Sequence, residues 1–256
     1  MELEIVDVSK HYLTGADSQV QALQLINATV EQGEFVCLLG PSGCGKSTLL
    51  RLIAGIEQAD AGRILCGGKP VTRPDPDRGF VFQDFGLFPW RTVRQNIAFG
   101  LEMKGISRKE RKEITDYYLR LMELSQAADL YPEQISGGMK QRVAIARSLC
   151  LKPEVLLMDE PFGALDALTR LKMQEELMKI WQLEKITVVF VTHDIEEALY
   201  LSDRIIIMTV RPGRIKEVVP VPISRPRSRT GEQYLHIRAQ IFASMGLDAN
   251  HTQTAI

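Results

Sequence analysis

No stretch of this sequence stays apolar for long. Its hydrophobic runs, such as Val188-Val189-Phe190-Val191 and Ile205 to Met208, fall far short of the roughly 20 residues a helix needs to cross a bilayer. The opening Met1-Glu2-Leu3-Glu4 is acidic where an export signal carries basic residues. Cysteine is scarce, and Cys37, Cys44, Cys66 and Cys150 never stand at C-x-x-C spacing. His11, His193, His236 and His251 never form H-E-x-x-H, so neither a zinc site nor a disulfide framework is indicated. An excess of one charge is missing too: 31 basic and 32 acidic side chains leave a net charge of −1. That balance argues against a protein that lives on nucleic acid. The expected compartment is the cytosol.

What is present suffices for a substantial core, with 45% apolar and 25% charged residues in a chain of 256. Strand-length apolar runs recur at Phe35 to Leu39, Gly79 to Phe82, Val155 to Met158, Ile186 to Val191 and Ile205 to Met208. Because they are continuous, they predict parallel strands covered on both faces, hence an α/β layered fold with a mostly parallel sheet. The first thirty or so residues alternate instead, in Leu3 to Val8 and Ala28 to Glu31, with breaks at Gly15 and Gly33. They predict an N-terminal antiparallel β subdomain.

From Gln83 to about Ser136 helical patterns take over. Ser107-Arg108-Lys109-Glu110 has the form of a capping box, and Ile114, Tyr117, Tyr118 and Leu121 follow at helical spacing. A helical subdomain inserted at about residues 84–150 is expected, with the basic run Arg108 to Lys112 as a solvated helix face. Pro212-Gly213, Pro220, Pro222 and Pro226, with Arg225, Arg227 and Arg229, read as a turn-rich connector. Gln233 to Met245 predicts a closing helix.

Gly40-Pro41-Ser42-Gly43-Cys44-Gly45-Lys46-Ser47 fits G-x-x-x-x-G-K-[ST], between the strand Phe35 to Leu39 and the helical pattern Thr48 to Ala54. Glycines let the backbone amides wrap a phosphate, and the helix N-terminus adds its positive end. Lys46 would reach the β- and γ-phosphates, and Ser47 would offer a hydroxyl to Mg2+. Downstream, Val155 to Met158 ends in Asp159-Glu160. One carboxylate suits a metal ion; the other suits general-base activation of water. Asn27, Asn96 and Asn250 all lack a following Lys, so no guanine-reading N-K-x-D segment exists and adenine is favoured. Tyr12, in the turn region after the first strand, offers a flat ring for stacking.

Ile135-Ser136-Gly137-Gly138-Met139-Lys140-Gln141, lying between the phosphate loop and Asp159-Glu160, completes a set that resembles the ATP-binding-cassette ATPases along about 210 residues. The resemblance implies a P-loop core over residues 1–230, followed by a C-terminal helix and tail at 231–256. It gives Tyr12 the adenine-stacking place, Gln83 contact with Mg2+ and the attacking water, and His193 the γ-phosphate. ATP would lie on Tyr12 and the loop from Gly40 to Thr48, with Mg2+ on Ser47, Gln83 and Asp159. Ser136, Gly137 and Gly138 would contact ATP held by a second cassette subunit, a homodimer partner. Asp166 belongs to a segment, Gly163 to Asp166, that crosses the dimer interface in the family. The family's commonest wording differs at Ile135, Met139 and Gly163. Cys44 inside the loop would obstruct nucleotide if alkylated, although small-residue tolerance explains it more simply.

Gln83-Asp84-Phe85-Gly86-Leu87-Phe88-Pro89-Trp90-Arg91-Thr92-Val93 is too apolar for the solvated loop of a stand-alone enzyme. It resembles, together with Asp77-Arg78-Gly79, the nitrate/sulfonate/taurine branch of bacterial importers. The branch implies docking of transmembrane permease subunits, an indirect solute-binding partner and a peripheral place on the cytoplasmic side of the membrane. The alternatives are that Phe85, Phe88 and Trp90 fill a local core, and that the chain is a non-transport cassette ATPase acting on nucleic acid or the ribosome.

Overall fold

The computed structural model describes residues 2–13 and 19–247; the expected break at Gly15 and the end of the C-terminal tail lie outside them. The strands in chain order are β1 (Leu3–Leu13), β2 (Gln19–Val30), β3 (Phe35–Leu39), β4 (Ala61–Cys66), β5 (Lys69–Pro70), β6 (Arg78–Val81), β7 (Val155–Asp159), β8 (Thr187–Thr192), β9 (Arg204–Met208) and β10 (Ile215–Pro220). The α-helices are α1 (Lys46–Ala54), α2 (Val93–Met103), α3 (Arg108–Leu121), α4 (Gly137–Leu149), α5 (Ala167–Glu184), α6 (Ile195–Leu201) and α7 (Glu232–Ser244). The chain divides into two compact units, residues 1–74 with 187–256, and residues 75–186.

In the first unit, β3 and β8 are buried at every position, as continuous apolar strands covered on both faces must be. Phe35 pairs with Val188 and Val36 with Arg204, so β3 runs parallel to both β8 and β9. The expected antiparallel sheet is also there, in the order β2-β1-β4-β5. It draws β4 and β5 from beyond α1, which the alternation of the first thirty residues did not foretell. Its first strand bulges near Asp7, where φ is 50°. Asn27 holds that bulge by accepting from the Asp7 amide at 2.9 Å and donating to its carboxylate at 2.8 Å.

The stretch after Met208 is more than a connector. Ile215–Pro220 forms β10, antiparallel to β9, with Val219 opposite Ile205. Its alternating burial and terminal proline suit an edge strand. Beyond it, Arg227 is 6% exposed, and its guanidinium donates to the carbonyls of Leu199, Tyr200, Ser202, Val221 and Ile223. It thereby closes the C-terminal end of α6. Burial pushes its pKa down to about 10.

In the second unit β6 and β7 are parallel, Phe80 opposite Leu157. The complete capping box belongs to Thr92 and Gln95 at the start of α2. At α3, Ser107 accepts from the Glu110 amide at 3.3 Å and acts as a simple N-cap. The buried face of α3 is Thr115, Tyr118, Leu119 and then Met122, while Tyr117 is 45% exposed. Of the expected positions Ile114, Tyr117, Tyr118 and Leu121, Tyr118 is buried and Ile114 and Leu121 are half-buried, so the helix is turned toward Thr115 and Leu119 and away from Tyr117.

Candidate active site

The loop from Gly40 to Gly45 joins β3 to α1, which opens with Lys46 and Ser47. Gly43 and Gly45 take φ of 79° and 93°, which a β-carbon disfavours. At Gly45 a β-carbon would also stand 2.6 Å from Leu23 Cδ2 and 2.9 Å from the Ala22 carbonyl. No side chain caps α1, so its first amides face outward for an anion. Lys46 is 4% exposed, and its Nζ donates to the carbonyls of Gly40 at 2.7 Å and Pro41 at 3.1 Å. Among the described residues no carboxylate pairs with it. A buried ammonium held by neutral acceptors favours an incoming negative charge. Ser47 and Thr48 are half-buried in the same first turn, and Pro41 and Ser42 are exposed on the loop. Cys44 is 1% exposed with Sγ 3.7 Å from Lys46 Nζ. It packs as a small buried residue.

Tyr12 lies within β1, paired with Val20, and not in a turn after it. The ladder continues to Leu13 because bulges let a long strand curl without ending. Its hydroxyl donates to Glu57, and Lys10 Nζ stands 5.6 Å from its ring centroid. Burial first, and Glu57 second, raise the hydroxyl's pKa. His193 follows β8 with its side chain exposed, between two anchored neighbours. Thr192 Oγ1 donates to buried Glu197 at 2.7 Å and accepts from the Asp194 amide at 3.0 Å; Asp194 caps α6 by accepting from Glu196 and Glu197.

In the other unit, β7 delivers Asp159 at 7% exposure, followed by half-buried Glu160. Glu160 has φ of 42°, a left-handed conformation that costs a non-glycine residue about 1–3 kcal/mol and concentrates at functional sites. A β-carbon placed on Gly163 would be 4.0 Å from both Glu160 Oε2 and Gln83 Nε2. The glutamine amide and the glutamate carboxylate, far apart in sequence, thus converge on one glycine.

Two residues behind Gln83 were missed from sequence. Arg147 donates to the carbonyls of Phe85 at 2.9 Å and Gly86 at 2.6 Å, and burial lowers its pKa. Asn96 is fully buried; its amide donates to Phe88, Arg91 and Thr92 carbonyls and accepts from the Phe88 amide. The available signal was Asn96 itself, a polar residue on the same helix face as Val93, Ile97 and Leu101. Arg147 gave none, since a basic residue in a last helical turn has an ordinary explanation. Trp90, 71% exposed, lies tilted at 44° to Phe88 with 5.7 Å between ring centroids. An apolar cavity of about 640 Å³ nearby is lined by Phe82, Phe88, Phe99, Met103 and Leu151.

Ser136 caps α4, its hydroxyl accepting from the Met139 amide at 3.3 Å. The hydroxyl proton stays available to donate. Gly137 and Gly138 form the first turn, and a β-carbon on Gly138 would stand 2.8 Å from Thr169 Cγ2. Asp166 caps α5 by accepting from the Thr169 amide at 3.0 Å. Hydrogen bonds from Thr169 hold its carboxyl below the usual carboxylate range.

A glycine-rich loop around a buried lysine, leading from a buried strand into a helix, defines a P-loop nucleotide-binding protein. A profile of the ABC transporter family matches residues 23–163. An uncharacterised ABC transporter ATP-binding protein of Methanocaldococcus jannaschii is 54% identical over 224 residues, 88% of this chain and 84% of that one. The nitrate import ATP-binding protein NrtD of Synechocystis is 49% identical over 90% of this chain and 88% of its own length. The aliphatic sulfonates import ATP-binding protein SsuB of Bacillus cereus is 47% identical over 94% of each. Among solved structures, the dimeric post-hydrolysis state of the ATP-binding cassette MJ0796 bound to ADP and Pi matches with a TM-score of 0.76 at 34% identity, covering 87% of this chain and all of that one. The chain belongs to the ABC transporter family.

Proposed function

We propose that this chain is the ATP-hydrolysing subunit of an importer for a small oxyanion or organosulfonate. The observation that carries the catalytic part is the convergence of Glu160 and Gln83 on Gly163. Glu160 acts as general base on the water that attacks the γ-phosphate, and Gln83 orients that water. Lys46 and the loop amides bind the phosphates, His193 contacts the γ-phosphate, and Tyr12 stacks on adenine. The chemistry of the hydroxyl, amide and carboxylate oxygens on Ser47, Gln83 and Asp159 fits Mg2+, a hard cation that takes one or two carboxylates beside substrate phosphates. When bound, it screens the phosphate charge.

Ser136, Gly137 and Gly138 complete the site of a second copy of the chain, so that two ATP molecules close a dimer and hydrolysis releases it. The dimeric neighbour supports this arrangement. Permease subunits receive the motion at the apolar cavity beside Trp90, and a solute-binding protein acts through them. No helix among the described residues is long and apolar enough to cross a membrane, which accords with a peripheral subunit on the cytoplasmic side. The relatives named for nitrate and aliphatic sulfonate import support the substrate class. Nothing comparable favours action on nucleic acid or the ribosome.

The test is ATP hydrolysis against protein concentration, with Glu160→Gln sized in the presence of ATP. Specific activity should rise with concentration, and Glu160→Gln should bind ATP, lose turnover and form an ATP-dependent dimer. Lys46→Ala should lose nucleotide affinity outright. Turnover by Glu160→Gln at the parental rate would refute the general-base assignment.

A further inference from the structure

The face between α2 and α3 carries a concentration of positive charge that the ATPase cycle does not use. Arg91 and Arg94, at the start of α2, meet Arg108, Arg111 and Lys112 from the first turns of α3 around a cavity of about 420 Å³. Small residues, Ala98 and Thr115, form part of its wall, leaving room between the long cationic side chains. Glu102 is the one carboxylate among the lining residues. It accepts from Arg91 at 2.8 Å, and Arg91 is the principal cause of its lowered pKa. Asp116 takes up Arg94, and Lys112 at 3.2 Å. Asp129, 4.0 Å from Arg94 Nε and with a 92% exposed side chain, stands outside. Arg108 and Arg111 form no ion pair and no side-chain hydrogen bond among the described residues, although Arg111 is half-buried. Five cations and a single carboxylate therefore line the groove, and Arg108 and Arg111 are the two cations that no carboxylate pairs among the described residues.

We propose that this groove is an anion site of its own, built for a multiply charged phosphate group, either free or carried on a lipid headgroup. Guanidinium forks suit phosphate oxygens because they donate two parallel hydrogen bonds at once. The volume lies within the range of about 300–1,000 Å³ usual for small-ligand sites. The lining comes from two helices and not from one helix face. The groove also touches the segment before α2: Arg91 directly follows Trp90, and the Arg91 carbonyl is held by Asn96 at 2.9 Å. An anion that draws Arg91 away from Glu102 thus acts on the segment that carries Trp90.

The full chain, saturated with ADP and Mg2+ so that the phosphate loop is filled, is titrated calorimetrically with inorganic diphosphate and floated with vesicles of phosphatidylcholine, either alone or containing anionic phosphatidic acid, whose phosphomonoester headgroup can carry two charges. One diphosphate per chain, or recruitment to the anionic vesicles alone, is expected, weakening with added salt. Arg108→Gln/Arg111→Gln should weaken binding about tenfold or more, with the thermal midpoint and basal ATP hydrolysis unchanged. Diphosphate binding without recruitment identifies a free phosphate compound as the occupant; recruitment that the double variant loses identifies the headgroup. Failure of both probes, or equal binding by the variant, overturns the proposal and leaves the assignment of the ATP site untouched.

Discussion

Arg147 donates to the Gly86 carbonyl at 2.6 Å, so the last turn of α4 grips the loop behind Gln83. The same helix begins at Ser136. If Ser136 contacts a partner's ATP and Gln83 orients water, as proposed, this helix, with Ser136 at one end and the Arg147 clamp at the other, is the mechanical route between them. Arg147→Met keeps the packing stem and removes the donors. Hydrogen bonds to charged groups are worth about 1.5–3 kcal/mol, so steady-state kinetics should show kcat reduced about tenfold with KM little changed. A parental kcat would mean that the clamp is purely structural.

Gly138 has a packing reason as well as a backbone one. Gly138→Ala places a methyl group against Thr169 Cγ2 at 2.8 Å, an overpacking that should cost about 1–3 kcal/mol. Thr169→Ser in the same chain removes the obstructing methyl and should restore most of the loss. Urea unfolding of the two single variants and the double variant measures the coupling; additive effects would show that this contact is not the constraint.

With 71% of its surface exposed, Trp90 contributes little to the interior. Trp90→Ala should therefore fold and hydrolyse ATP at the basal rate, while co-purification with the membrane subunit falls. A protein that loses its cooperative unfolding transition would show instead that Trp90 belongs to a local core.

The helical lobe should loosen in acid. The hydrogen bond from Arg94 holds the Asp116 carboxyl below its usual range. A carboxylate depressed in the folded state stabilises above the unfolded pKa of about 3.9 and loses that contribution as pH falls through the folded value. The stability advantage of the parent over Asp116→Asn should thus shrink between about pH 5 and about pH 3. Urea midpoints across that window check it; a constant difference would count against the ion pair.

Local patterns proved legible where one residue dictates its neighbours. β3, β7 and β8 are continuous apolar runs because both faces are covered, and the loop around Lys46 is written in adjacent glycines. β10 was hidden because its alternation sits among prolines and arginines that also spell turns. The orientation of α3 was ambiguous because Tyr117 and Tyr118 are adjacent, and only packing decides which is buried. Within the candidate site, Arg147 and Gly86 lie 61 residues apart. No spacing rule encodes a clamp that exists only once α4 has packed.

Arg227 and Lys46 are both buried cations lined by backbone carbonyls, and what separates them is hydrogen arithmetic. The guanidinium of Arg227 directs its Nε and both terminal nitrogens at five carbonyl oxygens, leaving no nitrogen idle. The ammonium of Lys46 carries three hydrogens and meets two carbonyl oxygens, with only a sulfur near the third. The first cation has every nitrogen engaged by carbonyls and braces the fold; the second gives its third hydrogen to a sulfur, a weak acceptor that an anion would outcompete. A lysine at position 227 would leave carbonyls stranded, and an arginine at position 46 would bring more hydrogens than the loop can satisfy.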